Sequence, residues 1–430
     1  MKRFLQTDWP FVILLIPLTI FYLWGVRFVP FHPDESTQLY MSSDFEALFS
    51  RPASLFWNPD REDDPRQRYR ELDAPLTKYI LGLGRVIIGQ PALPVDWDWS
   101  QSWDANTQAG ALPDANLLRT GRVTITLLLP LSLVFIYLVG KRIRSPATGL
   151  LAALLLGSHA LTLLHARRAM AEGPLLFGTT LALWSLLQAR KRPWLTGLGI
   201  ALVFNAKQSA LALLPVGLLA VCWLPANTDQ RFRKMAVNLA QFMGVFVILT
   251  IALNPLLWSN PWGAAQASIR ARQELIIRQI EDIKRVAPEK YLETPTQRVI
   301  VLIANLYIGP ATHGLVGNLD PIRGDVDAYI AIPGHNLLRG LWGGGILLVL
   351  TLFGLYLAGR DSWQGSRNRR RELILLLLAT TLQGTALIIA VPLPWPRYSI
   401  PMIAFECLWI AYGVTRALAR KSPAGGAVDQ

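Results

Sequence analysis

An adjacent pair of carboxylates, Asp34 and Glu35, is the sequence feature that most directly suggests chemistry. The pair follows His32 and Pro33 shortly after a long apolar run, so we expect it at the edge of a membrane. Two neighbouring acids raise each other's pKa, and a low dielectric raises both, which would let one of them accept a proton near neutrality. The alternative is that Asp34 or Glu35 only caps a helix expected to begin near Ser36.

Two motifs further along the chain combine a cation with an acid. Asp73 and Lys78 flank Pro75 at the start of an apolar stretch, where the lysine could meet a lipid phosphate. The alternative is a helix that Asp73 caps, with Lys78 extending to the headgroups. Residues 165–174 carry Arg168 and Glu172 in a short connection, and an arginine there needs Glu172 or a substrate phosphate as its partner.

Two more cations follow, Lys207 in an apolar hairpin and Arg397 next to Tyr398 in a proline-rich segment. A lysine at a membrane edge is a functional candidate, whereas Arg397 and Tyr398 could equally belong to an aromatic belt. Together the motifs supply a base, further acids and several cations. This combination favours phosphate-linked chemistry. A sugar that leaves on a lipid phosphate, for example, needs the charge of the departing oxygens stabilised.

The elements that must position these residues are membrane helices. The chain has 430 residues, 52% hydrophobic and 17% charged, with a mean hydropathy of +0.32, and about twenty apolar residues span a bilayer. Apolar runs predict ten spans, near residues 9–29, 119–139, 147–164, 174–188, 194–206, 208–224, 235–257, 337–357, 372–391 and 400–417. The first run is too long for a cleaved signal, so it is expected to be retained.

The basic clusters of the sequence predict the orientation. All six fall on one side of the ten predicted spans, at residues 2–3, 141–144, 190–192, 231–234, 369–371 and 420–421. The positive-inside rule makes that side cytoplasmic, with both termini there and residues 421–430 as a tail. Residues 1–420 then form a single transmembrane domain. Its outer loops, residues 30–118 and 258–336, face the periplasm or the outside of the plasma (inner) membrane.

Two segments of the outer loops are expected to form helices at the membrane surface. Residues 76–88 are apolar but interrupted by charges, and residues 265–286 alternate isoleucines with charged and polar residues. Trp97, Trp99 and Trp103 occupy the rest of the first outer loop, where interfacial anchoring is a more frequent role for tryptophan than sugar binding.

Composition also excludes several classes of protein. The net charge of +13 is concentrated in short clusters beside apolar runs, which is typical of membrane topology and unlike a nucleic-acid-binding face. Cys222 and Cys407 lie in apolar runs, so neither a disulfide framework nor a thiolate metal site is expected.

The motifs resemble the C-type glycosyltransferases (GT-C fold) that use polyprenyl-phosphate sugars, including protein O-mannosyltransferases and the lipid A aminoarabinose transferase. The resemblance covers most of the chain. Asp34-Glu35 is similar to the family's acidic motif, and residues 73–78, Asp-Ala-Pro-Leu-Thr-Lys, resemble its His-Pro-Pro-Leu-x-Lys stretch, with Asp and Ala replacing His and Pro. Residues 168–174, Lys207 and Arg397-Tyr398 resemble its later motifs.

The resemblance implies an all-α fold and an inverting single displacement of a hexosyl or pentosyl group. Asp34 would deprotonate the acceptor, a protein, lipid or glycan, while Glu35 supports catalysis. The donor phosphate would be bound by Lys78, Arg168, Lys207 and Arg397, with Asp73, Glu172 and Tyr398 in support. Mg²⁺ or Mn²⁺ would suit a site where acids meet phosphate, but no His-rich cluster requires a metal.

Two other classes of function stay open at this stage. A secondary transporter also has many spans and polar residues at membrane edges, although its charges would be expected at mid-span and its repeats are not seen here. A membrane protein that binds lipid phosphate without catalysis would use the cations but would not need Asp34.

Overall fold

The computed structural model describes residues 8–224, 230–312 and 317–421, and within these ranges it contains helices and no strands. The all-α prediction is therefore confirmed. The α-helices are α1 Trp9–Gly25, α2 Pro33–Met41, α3 Asp44–Ser50, α4 Pro65–Leu72, α5 Leu76–Ile88, α6 Trp103–Gln108, α7 Ala115–Thr126, α8 Leu128–Ile143, α9 Pro146–Ser158, α10 Ala160–His165, α11 Glu172–Gln188, α12 Pro193–Ala206, α13 Leu214–Cys222, α14 Arg231–Leu253, α15 Pro261–Val286, α16 Pro295–Ile303, α17 Arg323–Ala331, α18 Gly340–Gln364, α19 Arg367–Ala390 and α20 Ile400–Lys421.

Six helical segments in the described residues are long and apolar enough to cross a membrane. They are Trp9–Phe28, Ala115–Ile143, Arg231–Leu253, Gly340–Gln364, Arg367–Ala390 and Pro396–Ala419. The other four predicted runs are also helical but shorter, as in α9, α11, α12 and α13. Ten spans and the direction in which they cross therefore stay predictions, and the tail beyond Lys421 lies outside the described residues.

The short apolar helices pack in the middle of the bundle. α11 buries residues on all of its faces, which is the pattern of a helix surrounded by other helices. By contrast, only 11% of the apolar window of α14 is buried, so most of that helix is free to face lipid. Although it is short for a bilayer-spanning helix, α11 is thus buried inside the protein.

Glycines let neighbouring helices approach closely in the bundle. A Cβ built on Gly140 of α8 would lie 2.7 Å from the Cα of Gly149 in α9. A Cβ on Gly354 of α18 would overlap the backbone carbonyl of Trp409 in α20, and Gly413 lies at the same crossing. Small residues at helix crossings are typical of membrane bundles. In lipid the hydrophobic effect does not drive helices together, and close van der Waals contacts between backbones stabilise their association instead.

Helices α2 to α6 lie within residues 30–118, the first predicted outer loop, and α15 lies within residues 258–336, the second. Residues 76–88, predicted as a surface helix, form α5 with the same bounds, and residues 265–286 lie within the longer α15. An ion pair between Arg68 of α4 and Glu274 of α15 joins the two loops. Both helices are thus confirmed as helices, while their location at a membrane surface stays a prediction.

Candidate active site

The acid pair sits in the first turn of α2, and it is His32 that caps this helix. The neutral Nδ1 of His32 accepts a hydrogen bond from the Asp34 amide at 3.1 Å, and the Glu35 carboxylate accepts one from the His32 amide, also at 3.1 Å. This reciprocal capping box fixes the start of the helix. Burial lowers the pKa of His32 to about 4, although Asp34 opposes this shift, so the ring stays neutral and able to accept.

Glu35 is fully buried and held by further partners. Arg122 of α7 donates to both carboxylate oxygens, at 2.8 and 2.7 Å, and the amide of Ala169 donates at 2.9 Å. Burial raises the pKa of Glu35, but Arg122, Arg168 and the Ala169 amide together lower it, and the net direction is downward. Glu35 therefore ties α2 to α7 and to the connection before α11, which is a positioning role.

Asp34 makes a different ion pair, with Arg397 at the opposite end of the chain. Arg397 lies in a short 3₁₀ turn, Pro396–Ser399, between the ring centroids of Trp395 at 5.4 Å and Tyr398 at 5.6 Å. Burial raises the pKa of Asp34, but Arg397, together with His32, lowers it to about 2. The expectation that the two adjacent acids raise each other's pKa is thus wrong, because each carboxylate has its own guanidinium.

Lys207 and Glu172 extend the cluster around Arg397. The ammonium of Lys207 lies 2.9 Å from Glu172 Oε1 and 5.4 Å from the centroid of the Tyr398 ring. The other oxygen of Glu172, Oε2, is buried and has no hydrogen-bond partner in the described part of the chain. The structure therefore brings together five residues predicted from the sequence, namely Asp34, Glu172, Lys207, Arg397 and Tyr398.

Arg168 lies beneath this cluster and is engaged by the backbone. Its Nε and Nη2 donate to the carbonyl of Pro30 at 3.3 and 3.2 Å, and its side chain is buried. Burial lowers the pKa of Arg168 to about 10, although the nearby Glu35 raises it. The guanidinium thus supports the segment that leads into α2, and its predicted contact with the donor phosphate is untested.

Lys78 occupies a separate buried charge cluster. Its ammonium lies 3.0 Å from Asp44, whose carboxylate also accepts hydrogen bonds from Arg70 at 2.9 and 2.8 Å. Asp73 links this region to the acid pair, because Gln38 of α2 donates to it at 3.3 Å. Burial raises the pKa of Asp73, and the negative charge of Asp34 adds to that increase. Lys78 is therefore paired with Asp44 and does not contact Asp34.

Sequence reasoning missed the partners that hold these residues. Arg122 stood inside a predicted apolar span, and a charge in such a place is a recognised signal of function that could have identified it. Asp44 and Arg70 carried no such signal, because neither lies within a predicted apolar span. Only the folded chain shows that they neutralise each other around Lys78.

The described residues contain no group of three or more His, Cys, Asp or Glu side chains arranged to hold a metal ion. The acids near Arg397 are instead paired with cations, as Asp34 and Glu172 show. A possible role for Mg²⁺ or Mn²⁺ stays a prediction.

Comparison with known proteins supports the resemblance seen in the motifs. A family model described as dolichyl-phosphate-mannose-protein mannosyltransferase matches residues 66–258, a segment that contains Lys78, Arg168, Glu172 and Lys207. A comparison with curated protein sequences finds no match.

Similar solved structures include an archaeal oligosaccharyltransferase and a yeast protein O-mannosyltransferase. The oligosaccharyltransferase of Archaeoglobus fulgidus in its apo form matches with a TM-score of 0.51 and 11% identity, covering 94% of this chain and 51% of that one. The same archaeal enzyme with an inhibitory peptide and dolichol-phosphate matches with a TM-score of 0.47 and 12% identity, covering 96% and 52%. The Saccharomyces cerevisiae Pmt1–Pmt2 complex bound to its sugar donor matches with a TM-score of 0.40 and 16% identity, covering 59% and 34%.

The chain thus spans about half the length of the archaeal enzyme. At 11% identity the likeness concerns the fold, and it confirms the GT-C architecture predicted for this all-α membrane protein.

Proposed function

We propose that the chain is a membrane glycosyltransferase that moves a sugar from a polyprenyl-phosphate donor to an acceptor on the outer face of the plasma membrane. The observation that carries this proposal is the cluster in which the Asp34 carboxylate pairs with Arg397 while Lys207 lies against the neighbouring Tyr398. It supplies a base beside two cations. The match of residues 66–258 to the mannosyltransferase family model supports the same activity.

The proposed reaction is a single displacement with inversion. The acceptor oxygen or nitrogen attacks the anomeric carbon and forms a new bond as the bond from that carbon to the phosphate oxygen breaks. The polyprenyl phosphate leaves with the electron pair of the broken bond, and Asp34 takes the acceptor proton. Arg397 and Lys207 stabilise the charge that develops on the leaving phosphate.

The Asp34–Arg397 ion pair suggests how the base is activated. At a pKa of about 2, Asp34 is a weak base while Arg397 is bound to it. A donor phosphate that accepts hydrogen bonds from Arg397 would draw the guanidinium away, and burial would then raise the pKa of the freed carboxylate. The donor would thereby strengthen the base that its own reaction needs.

The other predicted site residues take supporting roles in this proposal. Glu172 and Tyr398 orient Lys207 and Arg397, and Glu35 holds α2 against Arg122. Asp73 approaches the site through Gln38. Direct phosphate binding by Lys78 and Arg168 stays a prediction from the resemblance, because Asp44 and Pro30 occupy their polar atoms.

The decisive experiment compares the purified chain with its Asp34→Asn variant, using dolichyl-phosphate mannose and measuring release of dolichyl phosphate. Loss of a general base predicts turnover lower by about 10²–10⁴-fold, with donor binding retained. Asp60→Asn, which alters an exposed carboxylate of the same outer loop, is the matched control and should keep full turnover.

Other outcomes would contradict specific parts of the proposal. Equal turnover in wild type and Asp34→Asn would exclude Asp34 as the base. If wild-type protein binds several polyprenyl-phosphate sugars but turns over none, the chain is a lipid-phosphate-binding protein without catalysis. Movement of a solute across sealed vesicles, with no sugar transfer, would instead support a transporter.

A further inference from the structure

An exposed indole stands beside the acid pair. The Trp99 ring packs edge-on against His32, with their centroids 6.3 Å apart, and 47% of Trp99 is exposed. His32 Nδ1 lies 3.7 Å from Asp34 Oδ1. One face of an aromatic ring is therefore presented next to the carboxylate that would receive the acceptor proton.

The segment that carries Trp99 is firmly fixed. The buried Asn106 accepts a hydrogen bond from the Asp98 amide at 2.8 Å and donates to the Asp98 carbonyl at 2.9 Å. Ser100 donates to the Asp98 carboxylate from both its amide, at 2.8 Å, and its hydroxyl, at 2.7 Å. The exposure of Trp99 is thus a consequence of how the loop is built.

The neighbouring Trp97 differs from Trp99 in its exposure and its contacts. Trp97 is 2% exposed and packs against Trp103, with centroids 5.3 Å apart, and against Phe31 at 6.0 Å. It anchors the loop in an apolar cluster while Trp99, two residues later, points its surface outward. The two tryptophans of one loop therefore have different roles.

Asp96 adds a hydrogen-bond acceptor to the same loop. Its Oδ1 is buried and has no hydrogen-bond partner among the described residues. Burial raises the pKa of Asp96, and the negative charge of Asp34 adds to that increase. A buried oxygen without a partner is costly, and a hydroxyl group supplied by a ligand would satisfy it.

We infer that Trp99 and Asp96 form a pyranose-binding shelf beside Asp34. A pyranose has one apolar C–H face, which suits an indole, and hydroxyl groups at its rim, which suit a carboxylate oxygen. This inference rests on the proposed function, because it assigns the shelf to the sugar that reacts at Asp34 or to a saccharide that accepts it.

The surroundings of Trp99 distinguish a shelf from a membrane anchor. Trp24 and Trp342, both more than half exposed, lie on helical segments apolar enough to cross a membrane. Trp99 instead lies between Asp98 and Ser100, in a polar loop tied to the acid pair through His32. A tryptophan that only anchors the protein in a membrane does not need this contact with His32.

The test measures equilibrium binding to the full chain in nanodiscs for three probes: dolichyl-phosphate mannose, dolichyl phosphate and methyl α-D-mannopyranoside. If the shelf holds the donor sugar, Trp99→Ala weakens binding of the mannosyl lipid about tenfold and leaves the bare lipid unchanged. If it holds a saccharide acceptor, the variant weakens binding of the free glycoside alone. Trp99→Phe should restore most of the affinity, and Asp96→Ala should weaken binding of the same probe as Trp99→Ala.

Trp262→Ala is the control, since Trp262 is a 73% exposed tryptophan on α15. An equal loss for both lipids in Trp99→Ala, shared by Trp262→Ala, would identify Trp99 as a membrane anchor and overturn the inference. Unchanged binding of all three probes by Trp99→Ala and Asp96→Ala would overturn it as well. If binding of the sugar depends on Trp99 but the protein shows no turnover, the proposed function is refuted while the pyranose-binding shelf is supported. Thermal unfolding of each variant distinguishes these results from misfolding.

Discussion

Replacing Arg397 with glutamine should change the acid–base behaviour of Asp34. The variant keeps a polar side chain of similar length but removes the charge that lowers the Asp34 pKa to about 2. Burial raises the pKa of Asp34, and without the charge of Arg397 less remains to lower it. The pKa therefore rises toward and beyond its ordinary value of 3.8. In a profile of kcat/KM against pH, the acid limb should move to higher pH in Arg397→Gln.

The size of the effect follows from the ion pair. The difference between a pKa of 3.8 and one of about 2 corresponds to about 2 kcal/mol in favour of the carboxylate. Solvent reaches 32% of the Asp34 side chain and 18% of Arg397, which reduces the contribution of the pair to stability to about 1 kcal/mol. Because the folded-state pKa is lowered, this stability is present above pH 4 and is lost as the pH falls toward 2.

Two measurements on Arg397→Gln check this reasoning. Steady-state kinetics from about pH 2 to 8 should show the acid limb at higher pH in the variant than in wild type. At neutral pH, turnover should be reduced by about 10²–10³-fold through lost stabilisation of the leaving phosphate. Arg142→Gln is a control outside the site, since Arg142 pairs with Glu372 and contacts none of the site residues. An acid limb at the same pH in wild type and Arg397→Gln would refute the assignment of Asp34 as the titrating base.

Three further predictions concern the charges around the site. Glu35→Gln leaves Arg122 buried without a counter-charge and should destabilise the protein by about 3–5 kcal/mol, seen as a lower Tm in detergent. Asp44→Asn leaves Lys78 and Arg70 facing each other and should destabilise it by a similar amount in the same assay. Lys207→Met should weaken binding of dolichyl phosphate about tenfold and also lower the Tm, because it leaves the buried Glu172 carboxylate without its ion-pair partner.

A specific result would contradict each of these three predictions. An unchanged Tm in Glu35→Gln, with turnover lost, would make Glu35 a catalytic group instead of a positioning one. If Asp44→Asn keeps its Tm but binds donor more tightly, Lys78 is released to a phosphate, as the family resemblance implies. Equal dolichyl phosphate affinity in Lys207→Met and wild type would exclude Lys207 from phosphate binding.

The helices and the main cluster of the site could be predicted from local patterns. Apolar runs mark the helices because lipid and buried protein both select apolar side chains over a fixed length. The cations at Lys207 and Arg397 were detectable because a charge beside an apolar run has few other reasons to be there. The bounds of α5 followed from its amphipathic pattern, which ends at the left-handed Gly89.

Pairing between distant residues could not be predicted in this way. Nothing local to Arg122 indicates that it binds Glu35, because the two are 87 positions apart and only the packing of α7 on α2 brings them together. The same holds for Asp34 and Arg397, at opposite ends of the chain. The number of spans does not follow from the sequence for a related reason. Helices α11 to α13 are too short for hydropathy to separate a membrane span from a helix buried in protein.

The different partners of Asp34 and Glu35 explain how adjacent carboxylates can divide two tasks. Glu35 faces inward, where Arg122, two backbone amides and full burial leave it no freedom. Asp34, one position earlier on α2, faces a cation that lies in a short turn and is partly exposed. Exchange of Arg397 from Asp34 to an arriving phosphate therefore requires only one side chain to move, while Glu35 keeps the helix in place. Base strength would then depend on the presence of the donor, which keeps the carboxylate inactive until a sugar phosphate is bound.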